Sequence, residues 1–153
     1  MWNLPFFTKK QPVRSKPLLI IMDGDQHIPD LFRSYRKYVA NLDNYETRFV
    51  RYGGSFPRIL KNFPEIQCTY LLHLSHSKEV VDKFIFGLIQ TEISNGYTNF
   101  AVVSSDYDFI DIFKMSNIIN EHKNIKFTLV APKPRGRLAT INSSENIEVV
   151  KER

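Results

Sequence analysis

One cysteine, Cys68, in 153 residues leaves no disulfide framework to build within the chain, so a reducing compartment, the cytoplasm, is the expected setting. Four histidines beside that lone cysteine supply no set at zinc-ligand spacing, and His73 and His76 are not read as a zinc pair. Glycine is scarce, at 6 residues, and no glycine-rich fingerprint follows the first apolar run, which excludes a P-loop or dinucleotide cradle there. The pair Gly53-Gly54 reads as a turn. No run approaches the roughly 20 apolar residues that cross a bilayer, so no membrane partner is expected. The patch of Trp2, Leu4, Phe6 and Phe7 is too short for the core of a secretion signal. Its charges, Lys9, Lys10, Arg14 and Lys16, follow it instead of preceding it.

What is present is an ordinary globular composition, 42% apolar and 24% charged, sufficient for the core of one domain. Residues 1–16 read as a basic N-terminal arm and 17–153 as the domain. Lysine and arginine outnumber aspartate and glutamate by 21 to 16, a net charge of +5. A basic balance points to a polyanionic partner, the more so where the acids are gathered in one place.

Apolar runs of strand type alternate with runs of helical period. Leu18 to Met22 is continuous and apolar, like a strand covered on both faces. Ile28 to Leu42 carries Ile28, Leu31, Phe32, Tyr35, Val39 and Leu42 at helical spacing. Strands follow at Tyr45–Tyr52, Ile66–Leu74, Phe100–Ser104 and Lys126–Val130. Between them lie a short helix near Pro57–Phe63, a long one over Lys78–Ser94 closed by Asn95-Gly96, and one over Phe109–His122. Ile147–Val150 is a sixth strand or an edge. The order predicts an α/β fold of βαβ units, a mostly parallel five-stranded sheet with helices on both faces.

Ligands of such sheets bind outside the carboxyl ends of the strands, so the residues after each strand matter most. Asp23, Asp25 and Gln26 follow the first, Arg51 and the glycines the second. Ser75, Lys78 and Asp82 follow the third, Ser104, Ser105, Asp106 and Asp108 the fourth, and Lys133, Arg135 and Arg137 the fifth. Converging carboxylates repel unless a cation lies between them, and Mg²⁺ or Mn²⁺ suits a site of carboxylates, waters and substrate phosphate. Such an ion activates a water against a phosphodiester. The flanking Arg51, Lys133, Arg135 and Arg137 hold a nucleic-acid backbone without regard to base.

Plainer roles compete for the same residues. Asp23 lies too far upstream to cap the helix at Ile28, which Asp25 or His27 serves better. Capping explains one of Ser104, Ser105, Asp106 and Asp108, but not two aspartates two apart with two serines ahead. Asp82 opens a helix, where a carboxylate suits the dipole, and Lys78 four residues earlier makes a surface ion pair the alternative. The Lys133–Arg137 run reads equally as a solvated loop.

The order Ile-Met-Asp-Gly-Asp-Gln, then Lys78-Glu-Val-Val-Asp82, then Val103-Ser-Ser-Asp-Tyr-Asp-Phe resembles the NYN domains, a branch of the PIN-like nucleases. The likeness covers about residues 18–150, and the last motif is the most specific. It implies a Rossmann-like three-layer α/β/α fold with strand order 3-2-1-4-5. It also implies a metal-dependent ribonuclease in which Asp23, Asp82, Asp106 and Asp108 are catalytic and bind Mg²⁺ or Mn²⁺, RNA being the substrate. Ser104, Gln26, Asp25 and Lys78 would support them. Two positions depart from the family: Gln26 stands where asparagine is usual, and Leu88 where many members carry an aspartate.

Two other functions are compatible with these residues. In a phosphatase of the haloacid dehalogenase type, Asp23 is the nucleophile, Asp25 the acid and Ser75 the later serine. His27 departs from that pattern, and no clear lysine position completes it. A PIN-like domain kept for RNA binding or regulation needs no turnover at all. Tyr52, Tyr97 and Tyr107 are candidates to stack bases. PIN-like domains often pair, and the Ile28–Leu42 helix carries enough apolar surface to join a homodimer.

Overall fold

The computed structural model describes residues 15–53, 55–72 and 79–152. Roles expected for Gly54, His73, Ser75, His76 and Lys78, and for most of the basic arm, fall outside them. Ten elements follow in order: β1 (Leu18–Asp23), α1 (Ile28–Val39), β2 (Tyr45–Tyr52), β3 (Gln67–Leu71), α2 (Val80–Ser94), β4 (Asn99–Val103), α3 (Asp108–Ile119), β5 (Lys126–Ala131), α4 (Arg137–Thr140) and β6 (Ile147–Lys151). Single 3₁₀ turns occupy Arg58–Asn62 and Glu121–Lys123.

The strands form one sheet in the order β3-β2-β1-β4-β5-β6, and every pairing is parallel. This is the expected Rossmann-like, three-layer α/β/α arrangement with one correction, since the sheet has six strands and not five. The sixth is the Ile147 segment, which pairs with β5 from Phe127↔Ile147 to Ala131↔Lys151. Only Ile147 of β6 is buried, so its apolar pattern is that of an edge strand, too short and too mixed to separate from a tail by sequence.

β1 owes its unbroken apolar character to its central place. Leu19 and Ile21 join the core on one face, with Ile85 and Ile89 of α2 and Phe109 and Phe113 of α3. Ile20 and Met22 join the other, against Leu31, Phe32 and Tyr35 of α1. Phe113 stacks on Phe127 with ring centroids 4.5 Å apart. The apolar face of α1, expected to be open to a second copy, is therefore spent on the core. Exposed apolar side chains lie instead on the helices of the other layer, at Phe84, Met115, Ile118 and Ile119. Phe84 of α2 is one of these, whereas Leu88 of the same helix packs against the core.

α1 starts with a proline in its first turn and Asp30 at its positive end, and Arg36 and Lys37 lie in its last turn. It stops at Val39, short of the expected Leu42. α2 ends at Asn95-Gly96, where Gly96 takes φ +100° and Tyr97 N–H returns to the Glu92 carbonyl at 3.0 Å. Tyr97 is buried, and its hydroxyl donates to Glu46 at 2.8 Å, so it is not available to stack a base. Lys16, the last residue of the basic arm, lies 5.3 Å from the centre of that ring.

Because order reverses at β1 and β4, their carboxyl ends open a crevice flanked by helices of both layers. Gly24 sets its floor. Its N–H donates to the Val50 carbonyl at 2.7 Å, and an added Cβ would stand 2.6 Å from that same oxygen and 2.7 Å from the Phe49 ring. Gly24→Ala must therefore displace backbone, and we expect a loss of roughly 1–3 kcal/mol by urea unfolding. An unchanged midpoint would show that the loop yields freely.

Candidate functional site: an acidic cleft at the sheet's carboxyl edge

Asp23 is the last residue of β1 and 3% exposed. Its Oδ2 accepts from the Ser104 hydroxyl at 2.8 Å and from Gln26 Nε2 at 3.3 Å, and its Oδ1 from Asp25 N–H at 3.3 Å. Ser104, wholly buried just past β4, also accepts from Asp106 N–H at 3.1 Å. One hydroxyl thus ties the acid of β1 to the loop that carries Asp106. Gln26 spans the same gap with its amide, since its Oε1 accepts from Ser105 N–H at 3.0 Å.

Asp82 enters from the first turn of α2 and is 8% exposed. Asp108, the first residue of α3, is exposed, and Asp106 lies between. Asp82, Asp106 and Asp108 each bring a carboxylate oxygen within 4.8 Å of the others. Asp23 is not part of that trio. It lines a cleft of about 510 Å³ with Asp82 and Asp106, together with Gly24, Asp25, Gln26, Arg51 and Tyr52. The four expected aspartates therefore resolve into three in mutual reach and one beside them, fixed by neutral donors.

No lysine or arginine among the described residues pairs with any of the four. Burial pushes the Asp23 carboxyl up to about 6, against the bond from Ser104 that favours its anion. Burial and then the charges of Asp106 and Asp23 push Asp82 up to about 7. Asp108 is raised as well, chiefly by Asp106. Asp106 has a second task. Its Oδ1 accepts from Asp108 N–H at 2.9 Å, capping the start of α3. Capping and clustering, read as alternatives in the sequence, coexist in one side chain.

The flanking residues divide. Arg51 lines the cleft, and its side chain makes no hydrogen bond or ion pair with any described residue. Asp25 lines the cleft too, and its Oδ1 accepts from Tyr52 N–H at 3.1 Å, which braces the loop after β1 against the end of β2. Arg137, exposed, lies 3.9 Å over the Tyr107 ring and donates to its hydroxyl at 3.0 Å. Lys133 and Arg135 line a separate cavity with His27 and Asp30. Asp30 is the residue that sequence reading passed over. It accepts from His27, Arg33 and Lys133, a role signalled only by the three-residue spacing of His27, Asp30 and Arg33.

No family model and no curated protein matches this chain. Among solved structures, a UDP-glucosyltransferase from Polygonum tinctorium capable of glucosylating indoxyl aligns over 79% of this chain and 31% of its own, at 11% identity and a TM-score of 0.41. The chain thus spans about a third of that enzyme, and so loose an overlay bears on neither fold nor activity. No helix among the described residues is long and apolar enough to cross a membrane.

The donor set fits a hard divalent cation: oxygen only, anionic, crowded and without a counter-charge among the described residues. Two predictions follow from the crowding. Asp82 binds its proton more tightly when folded, so between about pH 4 and 7 the native state holds more protons than the unfolded one. The stability of the metal-free protein then falls as pH rises through that window. Asp82→Asn removes the charge, so in EDTA it should raise the urea-derived stability by a few kcal/mol at pH 8. At pH 5 the gain should be much smaller, and an equal loss at both values would mark Asp82 as a plain structural acceptor. Asp106→Ala deletes the cap of α3 and should cost about 1 kcal/mol relative to Asp106→Asn, which keeps an oxygen there. Equal melting points for the two would deny the cap.

Proposed function

We propose that the chain is a metal-dependent nuclease, with RNA as its substrate, that hydrolyses phosphodiester bonds at the acidic cleft. The observation that carries this reading is the mutual approach of Asp82, Asp106 and Asp108, with buried Asp23 beside them, at the carboxyl edge of a parallel sheet and without a lysine or arginine paired to them among the described residues. The ordered likeness of the three motifs to NYN domains supports the same reading and supplies RNA as the substrate.

Asp82, Asp106 and Asp108 would hold Mg²⁺ or Mn²⁺, with Asp23 at its side. Such an ion activates water and offsets charge on the attacked phosphate. The chain's own part is positional. Ser104 and Gln26 on its Oδ2, and the Asp25 N–H on its Oδ1, fix the rotamer of Asp23 through neutral donors. The Asp106 carboxylate is oriented from below by the Asp108 N–H. The Arg51 side chain, without a hydrogen bond or ion pair to any described residue, is placed to meet a phosphate of the strand on the β2 side. Asp25 gives one oxygen to the Tyr52 N–H, which braces the loop beneath the cleft.

Cleavage of a labelled mixed-sequence RNA in Mn²⁺, Mg²⁺ or EDTA tests the proposal. The native chain should cut only with metal and Asp106→Asn should not cut, while Ser104→Ala should retain activity reduced by about 10–100-fold. RNA shifted in a gel but never cut would replace the nuclease with a binding module.

A further inference from the structure

A second cavity, of about 230 Å³, opens beside the acidic cleft and is lined by Gln26, His27, Asp30, Ser105, Lys133 and Arg135. Gln26 belongs to both walls, and Ser105 directly precedes Asp106, so the two openings adjoin on one rim. The second is cationic where the first is acidic.

Its charge is arranged around a buried anion. The Asp30 side chain is 10% exposed, and its Oδ1 accepts from Arg33 at 2.6 Å. Its Oδ2 faces His27 Nδ1 at 2.9 Å and Lys133 Nζ at 3.1 Å. Lys133, then Arg33 and His27, hold the Asp30 carboxyl down at about 2 against the cost of its burial. One carboxylate fixes the geometry of Lys133, Arg33 and His27 together while carrying a single negative charge. The Arg135 side chain lines the cavity and has no hydrogen bond or ion pair with any described residue. Lys133 is fixed at its backbone too, where its N–H donates to Ser105 Oγ at 2.8 Å, and the Ser105 hydroxyl proton has no acceptor among the described residues. His27 and Asp30, at the start of α1, form another wall.

We infer that this cavity is a subsite for one backbone phosphate of the nucleic-acid strand, gripped by Lys133, Arg135 and the Ser105 hydroxyl, one step along from the phosphate presented to the carboxylates. The inference rests on the nuclease reading of the adjoining cleft. Asp30 is a positioning residue here: it holds Lys133 in place and never meets the strand. Because the cationic cavity lies on the β5 side of the cleft and Arg51 on the β2 side, the strand is held across the sheet in one direction. A strand too short to reach both loses a contact.

The test reads binding without turnover. The full chain is titrated in EDTA with a fluorescent ten-nucleotide single-stranded RNA across a salt series, beside Arg135→Ala, Lys133→Met and a remote control, Lys123→Ala. Lys123 lies in the turn before β5, at the opposite end of the sheet. Arg135→Ala and Lys133→Met should each bind roughly tenfold more weakly, with a log–log salt slope shallower by about one. Lys123→Ala should keep native values. The Arg135 side chain has no partner among the described residues to lose, so its variant should melt with the native chain and its weaker binding is no folding effect. Native affinity and slope in both cavity variants, a loss no greater than that of Lys123→Ala, or no RNA binding by the native chain would each overturn the subsite. The two readings separate when cutting is assayed in Mn²⁺. Asp106-dependent cutting with unaltered KM in Arg135→Ala removes the subsite alone. Weakened binding in the cavity variants without any cutting by the native chain removes the nuclease and keeps the subsite.

Discussion

Mutual repulsion among carboxylates is the constraint around which this chain is arranged. Four aspartates are delivered to one edge of the sheet from β1, the first turn of α2, the loop after β4 and the start of α3, and among the described residues no lysine or arginine pairs with them. Repulsion of that kind must be offset by groups that do not answer charge with charge. Here they are neutral donors: the Ser104 hydroxyl, the Gln26 amide, and the backbone N–H groups of Asp25 and Asp108. Neutral donors hold a carboxylate in place yet leave its charge for another occupant, whereas a salt bridge would consume it.

The same economy explains why the cations stand one step back. Arg51 lines the cleft without bonding to the acids, and Lys133 and Arg33 are committed to Asp30. Without that buried anion, Lys133 would lie within reach of the Ser105–Asp106 loop, to which its backbone is already bonded. Asp30 thus keeps a positive wall and a negative wall apart across a shared Gln26.

Much of this is legible in the sequence because it depends on periods and termini. The apolar run of β1 gave its central position, and strand–helix alternation gave the parallel sheet and the rim on which the acids meet. β6 stayed ambiguous because an edge strand buries too little to enforce a pattern, and Ile147 alone is covered. The apolar face of α1 was assigned correctly to helix, but periodicity does not say whether such a face meets the core or another molecule. The division of the aspartates into three and one is a matter of side-chain direction, which no spacing encodes. Asp30 escaped notice because its partner Lys133 lies about a hundred residues away in sequence, joined to it only by the packing of α1 against the end of β5.

β1 raises a different matter. A strand apolar on both faces has no inward and outward side, so a slip of one residue would still bury Leu19, Ile20, Ile21 and Met22. Hydrophobicity alone does not index it. What does is its end, where Asp23 must reach Ser104 and Gly24 must seat on the Val50 carbonyl, a place no side chain fits. Asp23 and Gly24, both in the lining of the cleft, are therefore also the registration mark of the central strand, and a change to that lining reaches assembly of the sheet through the same two residues.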